Sequence, residues 1–333
     1  MLDLFRSVQA RVSVSVALGI GVVAATFGYF YRKKLLESPP RRWIRVGELT
    51  DLMIYPIKSC AGISVKTIQC SVLGLKEREH MRDRVFMITS LEGQGITARS
   101  HPKIVKIQPN FIADRMILSA PGQEDIVIDL LKLNRRERGK SVVWGETVTT
   151  IDCGDDVAAW ISKFLLNDDT GFRLVYYPDD FPTRDAWSKK KDKRELETHA
   201  GALHDVTSYM LMNQASIDDL NTKLTERVTS RQFRPNFLVK GPNAYLEDKW
   251  EWIKIGNVIF RNIMLCGRCI LVNINPETGT RNPDFEPLKT LKSYRVTSEN
   301  VKDPILGIHL GIHTSGTILL GDPVYIGATQ ETP

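Results

Sequence analysis

The sequence predicts an α+β protein dominated by β-strands that close into barrels, preceded by one apolar segment that spans a membrane. Short runs of β-branched and aromatic residues recur between turn signals, and two stretches show helical periodicity. Residues 12–31 contain no charged side chain. The composition, with 42% hydrophobic and 25% charged residues, is that of a globular protein. At about 100–200 residues per domain, the length suggests two domains, or one large domain with an appendage.

The basic residues are concentrated at the start of the chain. Before Trp43 there are seven Lys or Arg against two acidic residues, and the rest of the chain carries 38 basic and 37 acidic residues. Because the body is nearly neutral, a surface that binds nucleic acid is not expected.

The uncharged segment over residues 12–31 is long enough to cross about 30 Å of hydrocarbon as a helix. It exceeds the apolar region of a cleaved signal peptide, and three cations at 32–34 follow it directly. The excess of Lys and Arg on its C-terminal flank places the body on the cytosolic side. We therefore predict an N-terminal tail over 1–11, a membrane anchor over 12–31 and a basic linker over 32–43.

The first half of the body is predicted to be mostly β, followed by two helices. Strand-forming runs cover residues 51–57, 84–89, 126–130, 141–144 and 147–152. Asp155 or Asp156 is predicted to cap a helix whose apolar face carries Val157, Trp160, Ile161, Phe164 and Leu165. Ser216 and Asp219 form a candidate capping box before an apolar stripe of Ile217, Leu220, Leu224 and Val228.

Residues 177–201, which include the charge run 189–195, read as a domain connection or a long surface loop. A hairpin with Gly256 and Asn257 at its turn is predicted over 252–260. Further strands are expected at 270–274 and 317–325, with a turn at 275–279 between them.

Cysteine usage points to one close pair, Cys266 and Cys269, among five cysteines that the cytosol keeps reduced. A zinc knuckle needs a second Cys or His pair, which the sequence lacks. A thioredoxin-like dithiol opens a helix, whereas this pair precedes an expected strand. A thiolate ligand for another metal and two small buried residues at a strand end both remain open. Arg268 favours the thiolate, because a guanidinium stabilises it and binds anions.

Other cations lie in similar turn-like contexts, at Lys58, Arg84, Arg99 and Arg234. Each alone is typical of a surface charge or a structural ion pair. Together they predict one buried anionic ligand beside a thiolate. The sequence contains no Walker A, HExxH, GxSxG or CxxCH pattern that competes with this interpretation.

The chain resembles the mitochondrial amidoxime-reducing components, membrane-anchored members of the MOSC family of molybdenum cofactor proteins. The resemblance covers nearly the whole chain. Its motifs are Ile-Tyr-Pro-Ile-Lys-Ser-Cys at 54–60, Met-Arg-Asp-Arg at 81–84, Thr-Ala-Arg at 97–99, Phe-Arg-Pro-Asn at 233–236, Arg-Cys-Ile at 268–270, Pro-Glu-Thr-Gly at 276–279, Thr-Leu-Lys-Ser-Tyr-Arg at 290–295 and Gly-Asp-Pro-Val-Tyr at 321–325.

The resemblance implies a MOSC N-terminal β-rich domain over 44–178 and a MOSC β-barrel core over 179–333. The strand near 54–60 is open to assignment with the core, since Lys58 must meet Arg234 and Cys269 around one cofactor.

The resemblance also implies the site. Cys269 is the thiolate on molybdenum and Asp205 lies by the metal, where it orients substrate or relays a proton. The residues implied to contact the pterin and its phosphate are Lys58, Ser59, Arg84, Val206, Thr207, Arg234, Asn236, Gly267 and Arg268. Two departures from the family pattern, Val206 for a hydroxyl residue and Asn275 for aspartate, leave the substrate preference open.

The implied activity is molybdenum-cofactor-dependent reduction of amidoximes, hydroxamic acids, N-hydroxyguanidines and hydroxylamines, and of nitrite to nitric oxide. Electrons come from NADH through cytochrome b5 reductase and cytochrome b5, since the sequence has no nucleotide, flavin or haem motif of its own. The implied location is the outer mitochondrial membrane, with a single span and a monomeric catalytic body facing the cytosol. Two alternatives stay open: a carrier that delivers the molybdenum cofactor without turnover, and a tether that only recruits partners.

Overall fold

The computed structural model describes residues 38–184, 201–241, 243–297 and 303–328. The predicted anchor over 12–31 and the charge run 189–195 lie outside these residues. Within the described ranges, no helix combines the length and the apolar character needed to cross a membrane.

The described residues form strands with four short α-helices and several 3-10 turns. The helices are Asp155–Leu166 (α1), Gln214–Asn221 (α2), Ser230–Phe233 (α3) and Leu288–Tyr294 (α4), and the 3-10 helices are Pro102–Lys106, Leu130–Arg135, Leu246–Lys249 and Ile270–Asn273. The strands are Trp43–Ile54 (β1), Ile63–Ser64 (β2), Thr67–Ser71 (β3), Gly74–Lys76 (β4), Phe86–Ser90 (β5), Gln108–Ile112 (β6), Arg115–Ser119 (β7), Ile126–Asp129 (β8), Arg138–Val143 (β9), Glu146–Asp152 (β10), Phe172–Tyr176 (β11), Tyr209–Asn213 (β12), Phe237–Lys240 (β13), Trp252–Ile255 (β14), Val258–Gly267 (β15), Ile305–Thr314 (β16), Gly316–Leu319 (β17) and Pro323–Gly327 (β18).

Seven strands of the described chain close a barrel in the order β13, β12, β16, β15, β14, β18, β1, with β1 pairing back to β13. Inward-facing side chains of these strands fill the interior, as alternation along a strand dictates. The fully buried members include Leu52, Tyr209, Phe237, Phe260 and Leu310. The prediction of a mostly-β chain with a barrel core is confirmed.

The first strand holds the barrel closed. Glu48 in β1 pairs with Lys240 of β13 on one side and with Pro323 of β18 on the other. The strand ends at Ile54, and the next residues carry Lys58 from the barrel wall toward the second core. The segment 54–60 therefore lies between the two cores.

A second core surrounds the sheet β5-β11-β10-β9 and the meander β6-β7-β8. Helix α1 packs there through Val157 and Ile161, and Ile57 and Cys60 contribute from the segment after β1. Residues 43–327 nevertheless form one compact unit. In the flanking unit, the backbone N–H of Ala328 donates to the carbonyl of Arg42 at 3.0 Å.

The first predicted helix forms, the second forms only in part because α2 ends at Asn221 and leaves Leu224 and Val228 outside it, and both predicted caps are wrong. Gly154 caps α1, in a left-handed conformation with φ 117°, and Asp152 accepts from the N–H of Gly154. Asn213 caps α2 by accepting from the N–H of Ala215. Ser216 lies inside α2 and donates to Glu247, so a buried hydrogen bond outweighs its capping preference.

The predicted hairpin over 252–260 is confirmed, with Ile255 opposite Val258 across the turn. The strand predicted at 270–274 is wrong, because Ile270–Asn273 is a 3-10 helix in which the N–H of Val272 donates to the carbonyl of Cys269. The predicted strand at 317–325 is interrupted by a turn, where Asp322 accepts from the N–H of Leu319.

Candidate functional site

Cys269 lies just past the end of β15, at the start of the 3-10 helix Ile270–Asn273. Its side chain is partly exposed. Arg99 reaches it from the loop after β5, and Arg99 Nε donates to Cys269 Sγ at 3.2 Å. The carbonyl of Arg99 in turn accepts from Arg281 Nη2 at 2.6 Å. The thiol is thus held against a fixed cation.

Asp205 receives three donors from three different parts of the chain. Arg99 Nη2 donates at 3.1 Å, Trp144 Nε1 donates at 3.0 Å, and Lys58 Nζ forms an ion pair with Oδ1. Removal from water raises the pKa of Asp205, but Lys58 and Arg99 lower it well below its usual range. Asp205 is therefore a carboxylate at every physiological pH.

Lys58 is buried, and its ammonium also donates to the carbonyl of Leu203 at 2.8 Å. Burial lowers the pKa of Lys58, and the charge of Asp205 opposes that shift. The backbone N–H of Lys58 donates to the carbonyl of Phe86 at 2.8 Å, which ties the loop after β1 to β5. Lys58 therefore has a firmly held charge at the bottom of the site.

Four residues around the site adopt the left-handed backbone region that favours glycine: Ser59 (φ 69°), Arg84 (φ 50°), Trp144 (φ 54°) and Arg234 (φ 57°). For residues other than glycine, such backbone costs of order 1–3 kcal/mol each and clusters at functional sites. Ser59, Arg84 and Arg234 are all predicted cofactor contacts. Their shared conformation indicates that the backbone is bent to face one ligand.

The ring of Tyr55 lies between two guanidinium groups, at 5.0 Å from that of Arg84 and 4.2 Å from that of Arg234. Two polar atoms here, the Tyr55 hydroxyl and Arg234 Nη2, are buried without a hydrogen-bond partner among the described residues. Burial lowers the pKa of Arg234 to about 10. Arg234 Nη1 donates to the carbonyl of Cys60, so Nη2 is the atom of this guanidinium left for an anionic oxygen ligand.

Beneath these cations lies the buried carboxylate of Asp83. It accepts from the N–H of Tyr55 at 2.7 Å and bonds His204 Nε2 at 2.9 Å, and it pairs with Arg84. Burial raises the pKa of Asp83, but Arg84 and His204 lower it to about 2. Burial lowers the pKa of His204 to about 4. At neutral pH the pair is therefore a carboxylate and a neutral imidazole.

Arg268 and Asn236, which are predicted to contact the cofactor, use their side chains in hydrogen bonds within the protein. The guanidinium of Arg268 donates to the carbonyls of Leu306 at 2.7 Å and Phe233 at 3.0 Å. The amide of Asn236 accepts from the N–H of Met210 at 3.1 Å and donates to the carbonyl of Met53 at 3.2 Å. Both side chains connect strands, and their buried polar atoms are satisfied within the protein.

The other predicted contacts lie at the edge of the site. Thr207 donates to the carbonyl of Tyr209 at 2.9 Å and lies 3.1 Å from His309 Nδ1. Gly267, at the end of β15, is exposed and leaves its backbone accessible, whereas Val206 adds no polar side chain. Although burial raises the pKa of Cys266, the charges of Arg268 and His309 lower it to about 7.

A cavity of about 340 Å³ opens beside Arg234 and Tyr55. Its wall joins both cores of the body. It is lined by Met53, Tyr55, Ala61, Gly62, Ser64, Val105, Lys106, Gln108, Ser119, Ala120, Pro121, Arg231, Gln232, Arg234, Leu271, Ile274, Pro276 and Glu277.

The side chains of the site fit an anionic cofactor that itself supplies most of the ligands of its metal. Within the described ranges, no three His, Cys, Asp or Glu side chains come together as a metal site. Cys269 would therefore supply a single thiolate, which suits a soft metal. The orphaned Arg234 Nη2 suits a phosphate, and the left-handed backbone at Ser59 suits close approach of a ligand.

Two residues of the site were not assigned by sequence reasoning. Arg99 is predicted only as one of several cations around an anionic ligand, whereas the structure shows that it contacts both Cys269 and Asp205. Trp144 was not singled out, because it lies far from the other motifs in sequence. The available signal was a tryptophan before Gly145 in a two-residue hairpin turn, where asparagine or aspartate is usual.

Comparison with known proteins identifies the class. Residues 46–168 match the MOSC N-terminal beta barrel domain, and residues 198–325 match the MOSC domain. The barrel, the thiol at its rim and these two matches define a MOSC-domain protein, a class related to molybdenum cofactor chemistry.

The relatives identify the family within that class. The chain is 36% identical to mitochondrial amidoxime reducing component 2 of Bos taurus, over 86% of this chain and 84% of that one. It is 35% identical to component 1 of Mus musculus, over 92% and 90%, and 32% identical to component 1 of Homo sapiens, over 92% and 91%. The chain belongs to the mitochondrial amidoxime-reducing component family, a family of oxidoreductases.

Proposed function

We propose that the protein is a molybdenum-cofactor-dependent reductase of amidoximes, hydroxamic acids, N-hydroxyguanidines and hydroxylamines, and of nitrite. The observation that carries this proposal is the guanidinium of Arg99, which bonds both the thiol of Cys269 and the carboxylate of Asp205. A thiol and a carboxylate that share one fixed cation, with the thiol open in part to solvent, are suited to a redox centre that meets a small polar substrate.

The cofactor would be held by residues of both cores. Cys269 would ligate the metal, Arg234 and Arg84 would neutralise the phosphate, and the backbone at Ser59 and Gly267 would contact the pterin. Lys58 and Arg268 add positive charge without needing direct contact, since their side chains are bonded within the protein. When bound, the cofactor supplies the two-electron redox chemistry.

Reduction of an amidoxime consumes two electrons and two protons, breaks the N–O bond, and releases an amidine and water. Asp205, permanently ionised, would accept a hydrogen bond from the substrate N–H or O–H and so orient the N–O bond. A carboxylate with so low a pKa is a poor proton donor. Lys58, whose ammonium is bonded to Asp205, would instead supply the proton that leaves with water, and burial lowers its pKa.

The electrons would arrive one at a time from NADH through cytochrome b5 reductase and cytochrome b5. With this electron route, the protein would lie in the outer mitochondrial membrane, held by a single N-terminal span, with a monomeric body facing the cytosol. The names of the relatives, which include the word mitochondrial, support this placement.

The test measures bound molybdenum per protein by elemental analysis, on the full chain made in a host that synthesises the cofactor. Reduction of benzamidoxime is followed with NADH, cytochrome b5 and its reductase. The Cys269→Ser variant should lose activity and most of its metal. The matched control is Cys266→Ser, which changes the neighbouring cysteine. Among the described residues, Cys266 has no hydrogen bond to Arg99 or Asp205, so this variant should keep both the activity and the metal.

Three outcomes would contradict the proposal. Metal bound by a protein that oxidises no reduced cytochrome b5 with any N-hydroxylated substrate would indicate a cofactor carrier. A metal-free protein whose Cys269→Ser variant still recruits its partners would indicate a tether. A larger loss in Cys266→Ser than in Cys269→Ser would assign the metal to the other thiol.

A further inference from the structure

Trp144 is a large aromatic residue in a place where the backbone disfavours it. The hairpin between β9 and β10 turns through two residues, Trp144 (φ 54°) and Gly145 (φ 83°), with Val143 opposite Glu146. Positive φ at both turn positions defines a turn in which asparagine and glycine are preferred. A tryptophan held there at a cost in backbone strain indicates a use for its side chain.

The indole of Trp144 lies over the reactive end of the site. The guanidinium of Arg99 lies 4.7 Å from the ring centroid, and the ammonium of Lys58 lies 5.9 Å from it. Trp144 Nε1 donates to Asp205, and Arg99 contacts Cys269 Sγ. One guanidinium therefore separates the indole from the thiol.

Despite these contacts, 55% of the Trp144 side chain remains exposed. Arg99 covers part of the ring, and the exposed remainder borders Asp205, to which Trp144 Nε1 is bonded. A flat group bonded to the carboxylate of Asp205 would lie within reach of this ring. The indole is thus fixed by its hydrogen bond and its cation, and more than half of the residue stays open to contact.

We propose that Trp144 determines substrate specificity by stacking the planar aromatic or amidine group of larger N-hydroxylated substrates while their N–O bond is oriented by Asp205. This inference rests on the proposed function. Hydroxylamine has no planar group to stack, so it would gain nothing from the indole. Aromatic stacking changes affinity roughly 2- to 12-fold, which sets the size of the expected preference.

The test compares benzamidoxime with hydroxylamine on the molybdenum-loaded full chain. Trp144→Ala removes the ring, whereas Trp144→Phe keeps a ring and loses only the hydrogen bond to Asp205. Phe285→Ala is the matched control, because Phe285 is also an exposed aromatic residue in left-handed backbone (59% exposed, φ 61°). Steady-state KM and kcat are measured for each substrate, and calorimetric titration with benzamidine, the product, gives a binding constant independent of turnover.

Trp144→Ala should raise KM for benzamidoxime and Kd for benzamidine roughly 3- to 10-fold beyond any change in KM for hydroxylamine, because both substrates lose the hydrogen bond from Trp144 to Asp205 and only benzamidoxime loses the stacking. Trp144→Phe should keep most of the preference, and Phe285→Ala should match the parent. Equal changes for both substrates, or an effect of Trp144→Phe as large as that of Trp144→Ala, would overturn the proposal. A parent that reduces neither substrate would instead refute the proposed function, and this inference with it.

Discussion

The neutral imidazole of His204 should make the protein lose stability in mild acid. Burial lowers the pKa of His204 from its ordinary value of 6.5 to about 4 in the folded protein. Below pH 6.5 the unfolded chain therefore binds a proton that the folded protein excludes, and stability falls with pH until the folded group also titrates. From these two pKa values, the loss at pH 4.5 is about 2–3 kcal/mol. Asp83, with a pKa of about 2, stays ionised throughout this range.

The measurement is urea unfolding from pH 7.5 to pH 4.5, on the parent and on His204→Gln. A glutamine amide can still donate to Asp83, which His204 Nε2 contacts at 2.9 Å, but it does not titrate. The parent should lose about 2–3 kcal/mol more than the variant between pH 6.5 and pH 4.5, since other titrating groups contribute equally to both. When the series is extended to pH 3.5, the difference should level off below about pH 4, where the folded group also titrates.

The opposite sign would refute the reasoning. If Asp83 held His204 as an imidazolium, the folded pKa would lie above 6.5, and acid would stabilise the parent relative to the variant. Parallel profiles would show that burial and the ion pair cancel. The opposite sign would mean that the base of the site carries more positive charge near neutral pH than the geometry indicates.

Two further predictions separate binding residues from structural ones. Asn236→Ala removes two buried hydrogen bonds, one to β12 and one to β1, and should lower the free energy of unfolding of the metal-free protein in urea by about 1–3 kcal/mol. An unchanged urea midpoint would instead support a role of this side chain in binding the cofactor. Arg234→Gln should lower retained molybdenum roughly tenfold or more, because a charge-assisted bond is lost, whereas Arg231→Gln on the same cavity wall should not. Equal metal content in both variants would contradict an anion site at Arg234.

The elements that sequence reasoning predicted well are those whose signals are local. The hairpin over 252–260 has alternating apolar residues around Gly256 and Asn257, and α1 has its apolar residues in one stripe. Both patterns can be recognised from neighbouring residues alone, without knowledge of what the segment packs against.

The predictions are wrong where contacts with residues far away in the sequence determine the local structure. Residues 270–274 have the β-branched composition of a strand, yet Asn273 accepts from the N–H of Leu288 and the segment turns as a 3-10 helix. Ser216 has the spacing of a cap, but its hydroxyl is engaged by Glu247 and Tyr245 from a loop about thirty residues away. Tertiary contacts of this kind leave no local signal.

The same limit applies to the site. Family resemblance implies one site for Cys269 and Arg234, but it does not separate side chains that face a ligand from those that brace strands. Arg268 and Asn236 have the sequence signature of ligand residues and the bonding of structural ones. Trp144 carries no motif at all, and its place over Asp205 follows only from the way β9 and β10 pair.

The pairing of β1 has a consequence for how the protein is made. Glu48 of β1 pairs with Pro323 of β18, so this strand is paired on that side only after Pro323 has been synthesised. Contacts that join such distant positions form late in folding, because the intervening chain must first be brought together. The loop after β1 is tied to β5 at Phe86, but the barrel that carries Cys269 at its rim closes only when β18 joins β1. A truncated product would display a thiol but no assembled pocket, so incomplete chains would be poor competitors for a scarce cofactor.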